Sequence, residues 1–155
     1  SIDVIMKELD KILKDENDIA YFAGLFDGEG SVYYKRMDQM KHKRPGKPVH
    51  KVWVVRMEIA MTDKDTIKWC YESFNCGSFG ERKVKKGYKR QWRWRVSHRD
   101  ALNVALAIWP YVKNKLHKVE QIIDHYEGPD GLPKNVVDLE EYRLTRRFNW
   151  NLHGS

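Results

Sequence analysis

The sequence predicts an α+β fold in which a four-stranded antiparallel sheet packs against helices. Segments 31–37 and 51–61 alternate apolar and polar residues with the period of two that is typical of half-buried strands. Two shorter segments, at about 78–84 and 89–97, are joined through Lys85-Lys86-Gly87, a connection too short for a parallel crossover. Because apolar residues at helical spacing surround both strand pairs, we expect the order αββαββα followed by C-terminal helices.

The first predicted helix follows Asp18, a suitable N-cap residue, and ends at Gly28 and Gly30. Its apolar residues at helical spacing are Ile19, Phe22, Ala23 and Phe26. The end of this helix holds the sequence FAGLFDGEG (22–30), with two carboxylates, Asp27 and Glu29. A helix C-terminus carries partial negative charge, so acids there are locally unfavourable. The two carboxylates therefore indicate a role other than stabilising the helix.

The predicted strands have one apolar face and one cationic face. The apolar face comprises Val32, Tyr34, Trp53, Val55, Met57, Ile59, Met61, Trp92, Trp94 and Val96. The opposite face carries Tyr33, Lys35, Met37, Arg56, Glu58, Arg93, Arg95 and Ser97. We expect the first face to pack on the helices and the second to be available to a partner.

The remaining elements are helices. Thr62 or Asp63 caps a helix that continues to about Phe74, and further helices are predicted from about Asp100 to Trp109 and from about Tyr111 to Tyr126. We interpret 1–155 as a single domain. It has an N-terminal segment at 1–17, a turn-rich linker at 127–138 and a C-terminal segment at 139–155 that contains a short predicted helix.

The charge distribution predicts a polyanionic partner. The net charge is +7, yet residues 35–56 hold eight Lys or Arg against one Asp, and residues 82–99 hold nine with no acid. Such clustering favours nucleic acid over a merely solvated sheet face, and a β-surface can enter the major groove of DNA. Two cysteines give no four-ligand zinc pattern and no disulfide framework, and no apolar run is long enough to span a membrane.

Small residues recur along one stripe of the first helix, at Ala20, Gly24 and Gly28. Such a stripe lets a second helix approach closely, and glycine within a helix costs about 1 kcal/mol relative to alanine. The stripe is explained either by packing on the chain's own sheet or by contact with the same helix of a second copy. In a symmetric homodimer the two Glu29 side chains would meet near the two-fold axis, where divalent cations would offset their repulsion.

The segment FAGLFDGEG resembles the LAGLIDADG signature of homing endonucleases in length and at most positions. Ala23, Gly24, Leu25, Asp27 and Gly30 match the signature, whereas Phe22 and Glu29 replace its first leucine and its last acid. The resemblance extends over the order of helices and hairpins that follows. It implies a curved antiparallel sheet of two hairpins packed on helices, and single-motif members of this family are homodimers. We therefore also place Ala23 in the dimer interface.

The resemblance implies a set of site residues. Glu29 would bind the divalent metal together with the backbone carbonyl of Gly28, and Asp27 is either a further ligand or a structural carboxylate. The segment WPYVKNK (109–115) resembles the run of proline, aromatic residue and lysine before the last core helix of the family. It places Lys115 as the catalytic lysine, with Lys113 as the alternative, and Asp63 as a residue that orders water.

The same resemblance places DNA contacts on the cationic sheet face. The expected contact residues are Tyr33, Lys35, Met37, Val54, Arg56, Glu58, Arg82, Lys83, Lys85, Arg93 and Arg95. Arginines in this set would read guanine, whereas the lysines near the turn would contact phosphates.

We therefore expect an intron-encoded, site-specific endonuclease that makes a double-strand break in a long, near-palindromic DNA target. Its cofactor would be Mg²⁺, with Mn²⁺ or Ca²⁺ able to substitute in binding. We expect it inside a cell with the host genome, in an organelle, a nucleoid or a phage-infected cytoplasm, and not secreted. The alternatives are an RNA maturase or transcription regulator that does not cleave, and a single-strand binder that stacks bases on Trp92 and Trp94.

Overall fold

The computed structural model describes residues 15–38, 46 and 50–127, and these form four helices and four strands. In chain order they are α1 (Glu16–Glu29), β1 (Gly30–Asp38), β2 (Lys51–Met61), α2 (Lys64–Phe74), β3 (Ser78–Arg82), β4 (Gln91–Ser97), α3 (Arg99–Ile108) and α4 (Leu116–Glu127). The predicted order αββαββα with a further helix is confirmed. The predicted helix within 139–155 and most of segment 1–17 lie outside the described residues.

The four strands form one antiparallel sheet in the order β1-β2-β4-β3, so each hairpin contributes one central strand and one edge strand. Tyr33 of β1 lies opposite Arg56 of β2, and Glu58 of β2 lies opposite Arg95 of β4. Because side chains alternate between the two faces of a strand, this register assembles the predicted cationic residues on one face and the apolar residues on the other.

The core lies between the apolar sheet face and the helices. Phe22 of α1 has its ring centroid 4.6 Å from that of Phe74 of α2 and 5.4 Å from that of Trp94 of β4. Trp94 is fully buried, and its indole Nε1 donates a hydrogen bond to the carbonyl of Cys76 at 3.0 Å. The aromatic cluster therefore holds both helices against the centre of the sheet.

Several predicted boundaries are wrong by a few residues. Asp15 rather than Asp18 caps α1, and its carboxylate accepts from the backbone N–H of Asn17 at 2.8 Å. The third strand ends at Arg82 and the fourth begins at Gln91, which leaves a longer turn between them. The last helix begins at Leu116 rather than Tyr111, because backbone N–H groups just before it are bound by a side chain from α1.

The helices of the described part of the chain are short. None of them is both long enough and apolar enough to cross a membrane.

Replacing Trp94 tests the aromatic core. Trp94→Ala should lower the free energy of unfolding by about 3–5 kcal/mol, because it removes a fully buried ring and leaves a cavity. Trp53 provides a matched control on the same sheet face, since it is 42% exposed and stacks on Tyr34 at 4.7 Å between ring centroids. Trp53→Ala should cost about 1–2 kcal/mol. Urea denaturation at fixed protein concentration measures both, and equal losses would contradict this description of the core.

Candidate functional site

The end of α1 leads directly into β1, with no intervening loop. Gly30 caps the helix, and its N–H group donates to the carbonyl of Phe26. A Cβ atom at Gly30 would overlap the Phe26 ring, so only glycine fits this close approach of backbone and core. The helix before this segment and the strand after it both fix its backbone. The last helical turn therefore holds Asp27, Gly28 and Glu29 in defined positions at the edge of the sheet.

Asp27 connects this helix end to the turn before α4. One carboxylate oxygen, Oδ2, accepts the backbone N–H of Lys113 at 2.7 Å, and the other, Oδ1, accepts the backbone N–H of Lys115 at 3.0 Å. A carboxylate with both oxygens bound to backbone N–H groups acts as a cap for the beginning of a helix. This contact, which we call the Asp27 clamp, fits a structural role for Asp27. As a metal ligand, Asp27 would have to use oxygens that already accept these two hydrogen bonds.

The side chain of Lys115 also contacts Asp27. Its ammonium group donates to the main-chain carbonyl of Asp27 at 2.7 Å, and the side-chain amide of Asn114 donates to that carbonyl at 3.3 Å. The last turn of α1 contains no basic residue, so Lys115 supplies the positive charge that a helix C-terminus favours. An ammonium group has three donors, and the described residues bind one of those on Lys115.

Glu29 differs from Asp27 in being exposed. Its carboxylate makes no hydrogen bond and no ion pair with any other described residue. Both of its oxygens are therefore open to a ligand, on the same helix end that Lys115 reaches. The last acid of the motif is the residue expected to bind metal, and the described residues leave its carboxylate free to do so.

The other two candidate residues, Asp63 and Lys113, make different contacts. The carboxylate of Asp63 accepts a short hydrogen bond from the hydroxyl of Thr66 at the beginning of α2. It forms no hydrogen bond or ion pair with Asp27, Glu29 or Lys115. Lys113 contributes its backbone N–H to the Asp27 clamp, but only Lys115 brings an ammonium group to the helix end. The structure thus places Lys115 against the end of α1 that carries Asp27 and Glu29, whereas Asp63 binds Thr66 at the beginning of α2.

The donor set at the end of α1 fits a hard divalent cation that keeps most of its water. Mg²⁺ is commonly bound by one or two carboxylates plus water, and the free carboxylate of Glu29 with the neighbouring carbonyl of Gly28 is such a set. Within 15–38, 46 and 50–127 no three His, Cys, Asp or Glu side chains converge to hold a metal. Burial raises the pKa of the Cys70 thiol to about 12 and that of Cys76 to about 11, so neither provides a thiolate at neutral pH.

The small residues of α1 face solvent. Ala20, Gly24 and Gly28 are exposed, and a Cβ atom at Gly24 or Gly28 would meet no atom within 4 Å. Packing against the chain's own sheet therefore does not explain them. Ala23 is fully buried in the core beside Phe22 and Phe26, so its assignment to a dimer interface is wrong.

The cationic sheet face carries nine of the expected contact residues. Strand register places Tyr33, Lys35, Met37, Val54, Arg56, Glu58, Arg82, Arg93 and Arg95 on this face. The guanidinium of Arg56 lies over the Tyr33 ring at 5.5 Å from its centroid, and Arg95 forms an ion pair with Glu58 at 3.0 Å. Lys83 and Lys85 lie in the exposed connection between β3 and β4. Tyr88 of the same connection, which was not among the expected contact residues, is 71% exposed.

The two tryptophans of β4 are not a surface for stacking bases. Trp94 is fully buried, and Trp92 is half-buried beneath the cations of Lys64 and Arg90, which lie 5.8 Å and 5.2 Å from its ring centroid. The arrangement disfavours the single-strand binder, which would need both rings exposed.

The two acids of the motif should differ in how much each contributes to the free energy of unfolding. Asp27→Asn should lower the free energy of unfolding by about 1–3 kcal/mol, because the amide offers one oxygen where two N–H groups need acceptors. Glu29→Gln, two residues away, should cause no loss of stability, since it removes a free carboxylate from a negative helix end. Equilibrium urea unfolding at one protein concentration makes the comparison. Similar effects of the two substitutions would refute the structural role of Asp27.

Comparison with known structures finds the same architecture in homing endonucleases. No protein-family model matches the sequence, and no curated protein is significantly similar to it. Among solved structures, the homing endonuclease I-CvuI in complex with its target and in the presence of Ca aligns with a TM-score of 0.59 at 15% identity, covering 76% of this chain and 71% of that one. I-CvuI has also been solved with the I-CreI target and Mg, with the DNA not cleaved.

Two further structures extend the similarity. The group I intron-encoded homing endonuclease I-CeuI, complexed with DNA, aligns with a TM-score of 0.51 at 14% identity, covering 82% of this chain and 66% of that one. The LAGLIDADG homing endonuclease I-LtrWI, bound to target DNA, aligns with a TM-score of 0.51 at 21% identity, covering 83% of this chain but 41% of that one. Identities this low establish the fold and leave the activity to be argued from the site. The chain has the LAGLIDADG homing-endonuclease fold.

Proposed function

We propose that this protein is a homodimeric, site-specific DNA endonuclease that makes a metal-dependent double-strand break in a long, near-palindromic target. The observation that carries the proposal is that the Lys115 ammonium contacts the end of α1 two residues before the exposed acid Glu29. The Asp27 clamp brings the Lys115 ammonium to within 2.7 Å of the Asp27 carbonyl, and the next acid along the chain, Glu29, has a free carboxylate. A lysine and an unpaired carboxylate beside a cationic sheet suit hydrolysis of a phosphodiester.

Glu29 would hold the divalent cation, with the carbonyl of Gly28 as a second oxygen ligand. When bound, such a cation favours attack by water and stabilises the charge that develops on the phosphate and the leaving oxygen. The free carboxylate of Glu29 supports this role, as do the hard-cation preferences of its oxygens. Mg²⁺ is the proposed ion, and the complexes of I-CvuI solved with Ca and with Mg support the choice of a divalent cation.

Lys115 would stabilise negative charge on the scissile phosphate. Its ammonium donates one hydrogen bond to Asp27, and no other described residue accepts from its two further donors. A positioned cation of this kind acts without reorganisation during the reaction, which is where electrostatic stabilisation is most effective. Asp63, whose carboxylate accepts a hydrogen bond from Thr66 at the beginning of α2, would order water at the site.

A second copy of the chain would complete the site. The exposed stripe of Ala20, Gly24 and Gly28 ends beside Glu29, so two copies joined along it would bring their free carboxylates together. The bound cations would then offset the repulsion between the two acids. One Glu29 and one Lys115 from each copy would cleave one strand each, which accounts for a double-strand break in a near-palindromic site.

Double-stranded DNA would lie against the cationic sheet face. Arginines on a half-buried surface can contact guanine bidentately in the major groove, and Arg93 and Arg95 lie on a central strand of the sheet. The exposed Lys83 and Lys85 would contact phosphates at the edge and contribute affinity rather than sequence preference. Membership of the LAGLIDADG family and an intron as the source of the gene are parts of the same proposal.

Cleavage of selected DNA tests the proposal. Duplexes that bind the protein are first selected from a randomised library, without metal, and are then incubated with the protein and Mg²⁺. We expect a double-strand break that EDTA abolishes. The Glu29→Gln variant should still bind the duplex but should cleave it at least about 100-fold more slowly. The substitution removes the carboxylate that would hold the cation, and the cation would stabilise the negative charge of the transition state.

A carboxylate elsewhere on the surface controls for the change of charge. Glu72 on α2 forms a solvent-exposed ion pair with Lys68 at 3.9 Å, so Glu72→Gln should cleave like the parent. Binding to selected duplexes without a break, under all divalent cations tried, would identify a binding protein of this fold instead. Cleavage by the Glu29→Gln variant at the rate of the parent would show that Glu29 is not part of the active site.

A substitution in the stripe tests the homodimer. Gly24→Leu should give a monomer by light scattering in conditions where the parent forms a dimer on DNA, because the larger side chain keeps two helices apart. The fold of each chain should survive, since space at Gly24 is open and leucine favours a helix by nearly 1 kcal/mol over glycine. Gly80→Ala, at a second open glycine, should leave the mass unchanged. A dimeric Gly24→Leu protein would show that the contact lies elsewhere.

A further inference from the structure

Glu58 is the only acidic side chain that the described strands place on the cationic sheet face. It lies on β2, opposite Ser31 of β1 on one side and Arg95 of β4 on the other. A carboxylate that faced DNA from this position would repel phosphates and weaken binding. Its presence at the centre of such a face therefore needs an explanation in terms of what it binds.

The carboxylate of Glu58 is bound to one edge of the Arg95 guanidinium. Its Oε2 oxygen accepts from Arg95 Nε and stands at the same distance, 3.0 Å, from Nη2. Both side chains are partly buried, at 28% exposed for Arg95 and 23% for Glu58. Salt screens a partly buried pair less than an exposed one, and two contacts from one planar group fix its orientation.

This contact decides which edge of Arg95 is available. A guanidinium has five N–H donors, one on Nε and two on each Nη nitrogen. Glu58 occupies the edge formed by Nε and Nη2, so the outer edge, formed by Nη1 and the second hydrogen of Nη2, remains. Two parallel donors are what a bidentate contact with O6 and N7 of guanine requires.

Other arginines of this face are held differently. Arg82 donates to the amide oxygen of Gln91 at 3.2 Å, and Arg56 lies over the Tyr33 ring. Arg93, which lies two residues before Arg95 on the same face of the sheet, forms no ion pair with a described residue. Arg95 is thus the arginine of the described face whose direction a carboxylate fixes.

We propose that Glu58 is a positioning residue that orients Arg95 to contact guanine through the outer edge of its guanidinium. Glu58 itself contacts no base. This inference rests on the proposed binding of double-stranded DNA, and it replaces the expectation that Glu58 is a DNA contact in its own right. The competing arrangement uses the second oxygen of Glu58 to accept from the N4 amino group of cytosine. The two arrangements predict changes of preference at different base pairs.

Selection from a randomised duplex library distinguishes them. Arg95→Ala should lose guanine preference at one base pair of each half-site by about 5- to 150-fold, the range for one bidentate contact. Glu58→Ala should lose preference at that same base pair, because an unsupported guanidinium samples other directions. Glu58→Gln should lose less, since its amide oxygen still accepts one hydrogen bond. Preferences at all other base pairs should stay as in the parent.

Glu81 provides the matched control. It forms a bidentate pair with Arg90, at 2.8 Å for both hydrogen bonds, on the opposite side of the same sheet. Glu81→Gln removes a carboxylate from a more exposed arginine pair without touching the cationic face, so it should leave the preference profile of the parent unchanged. Melting temperatures of all variants show whether any profile change comes from a loss of folded protein.

The double variant Glu58→Ala with Arg95→Ala gives a second readout. If Glu58 acts through Arg95, the loss of preference at that base pair should be no greater in the double variant than in Arg95→Ala alone. Loss of a cytosine preference at another base pair in Glu58→Gln, with the guanine preference intact, would overturn the inference. A parent protein that selects no duplex sequence would instead refute the proposed binding and this inference with it.

Discussion

The structure depends on one carboxylate that binds two backbone N–H groups. Asp27, in the last turn of α1, accepts hydrogen bonds from Lys113 and Lys115 and so joins that helix to the turn before α4. These groups are far apart in the sequence, and they are joined by this contact, by the hydrogen bonds of Asn114 and Lys115 to the Asp27 carbonyl, and by the packing beneath. The ammonium of Lys115 is thereby held at a helix end where its charge is favourable and where Glu29 has a free carboxylate. The clamp thus fixes the backbone of both lysines relative to the motif.

The clamp also explains why a helix ends in two acids. Asp27 is satisfied by backbone donors, and Lys115 neutralises the carbonyl end, so the helix tolerates a second and unpaired acid at Glu29. Adjacent faces of one helix thus have separate tasks. One side packs Phe22 and Phe26 into the core, while the stripe of Ala20, Gly24 and Gly28 remains open for a second helix. The acid that the proposal assigns to the metal lies where the open stripe ends.

Much of the fold follows from the sequence because strand alternation is a local property. The faces of β1, β2 and β4 were predictable from period two alone, and the structure confirms them. Long-range contacts were not predictable in this way. The late beginning of α4 depends on Asp27, and the pairing of Glu58 with Arg95 depends on the register between β2 and β4. Ala23 was misplaced because alanine suits a core and an interface equally, and only the packing of Phe22 and Phe26 decides between them.

The most direct test of the account is to locate the divalent cation in a complex with DNA. Anomalous diffraction from Mn²⁺, in crystals of the protein with a selected duplex, would show the ion and its ligands. The account predicts Mn²⁺ at the end of α1, bound by the Glu29 carboxylate, with Lys115 near the scissile phosphate and Asp27 still bound to the backbone of Lys113 and Lys115. An ion bound instead by Asp27 or Asp63, with Glu29 away from it, would contradict the account.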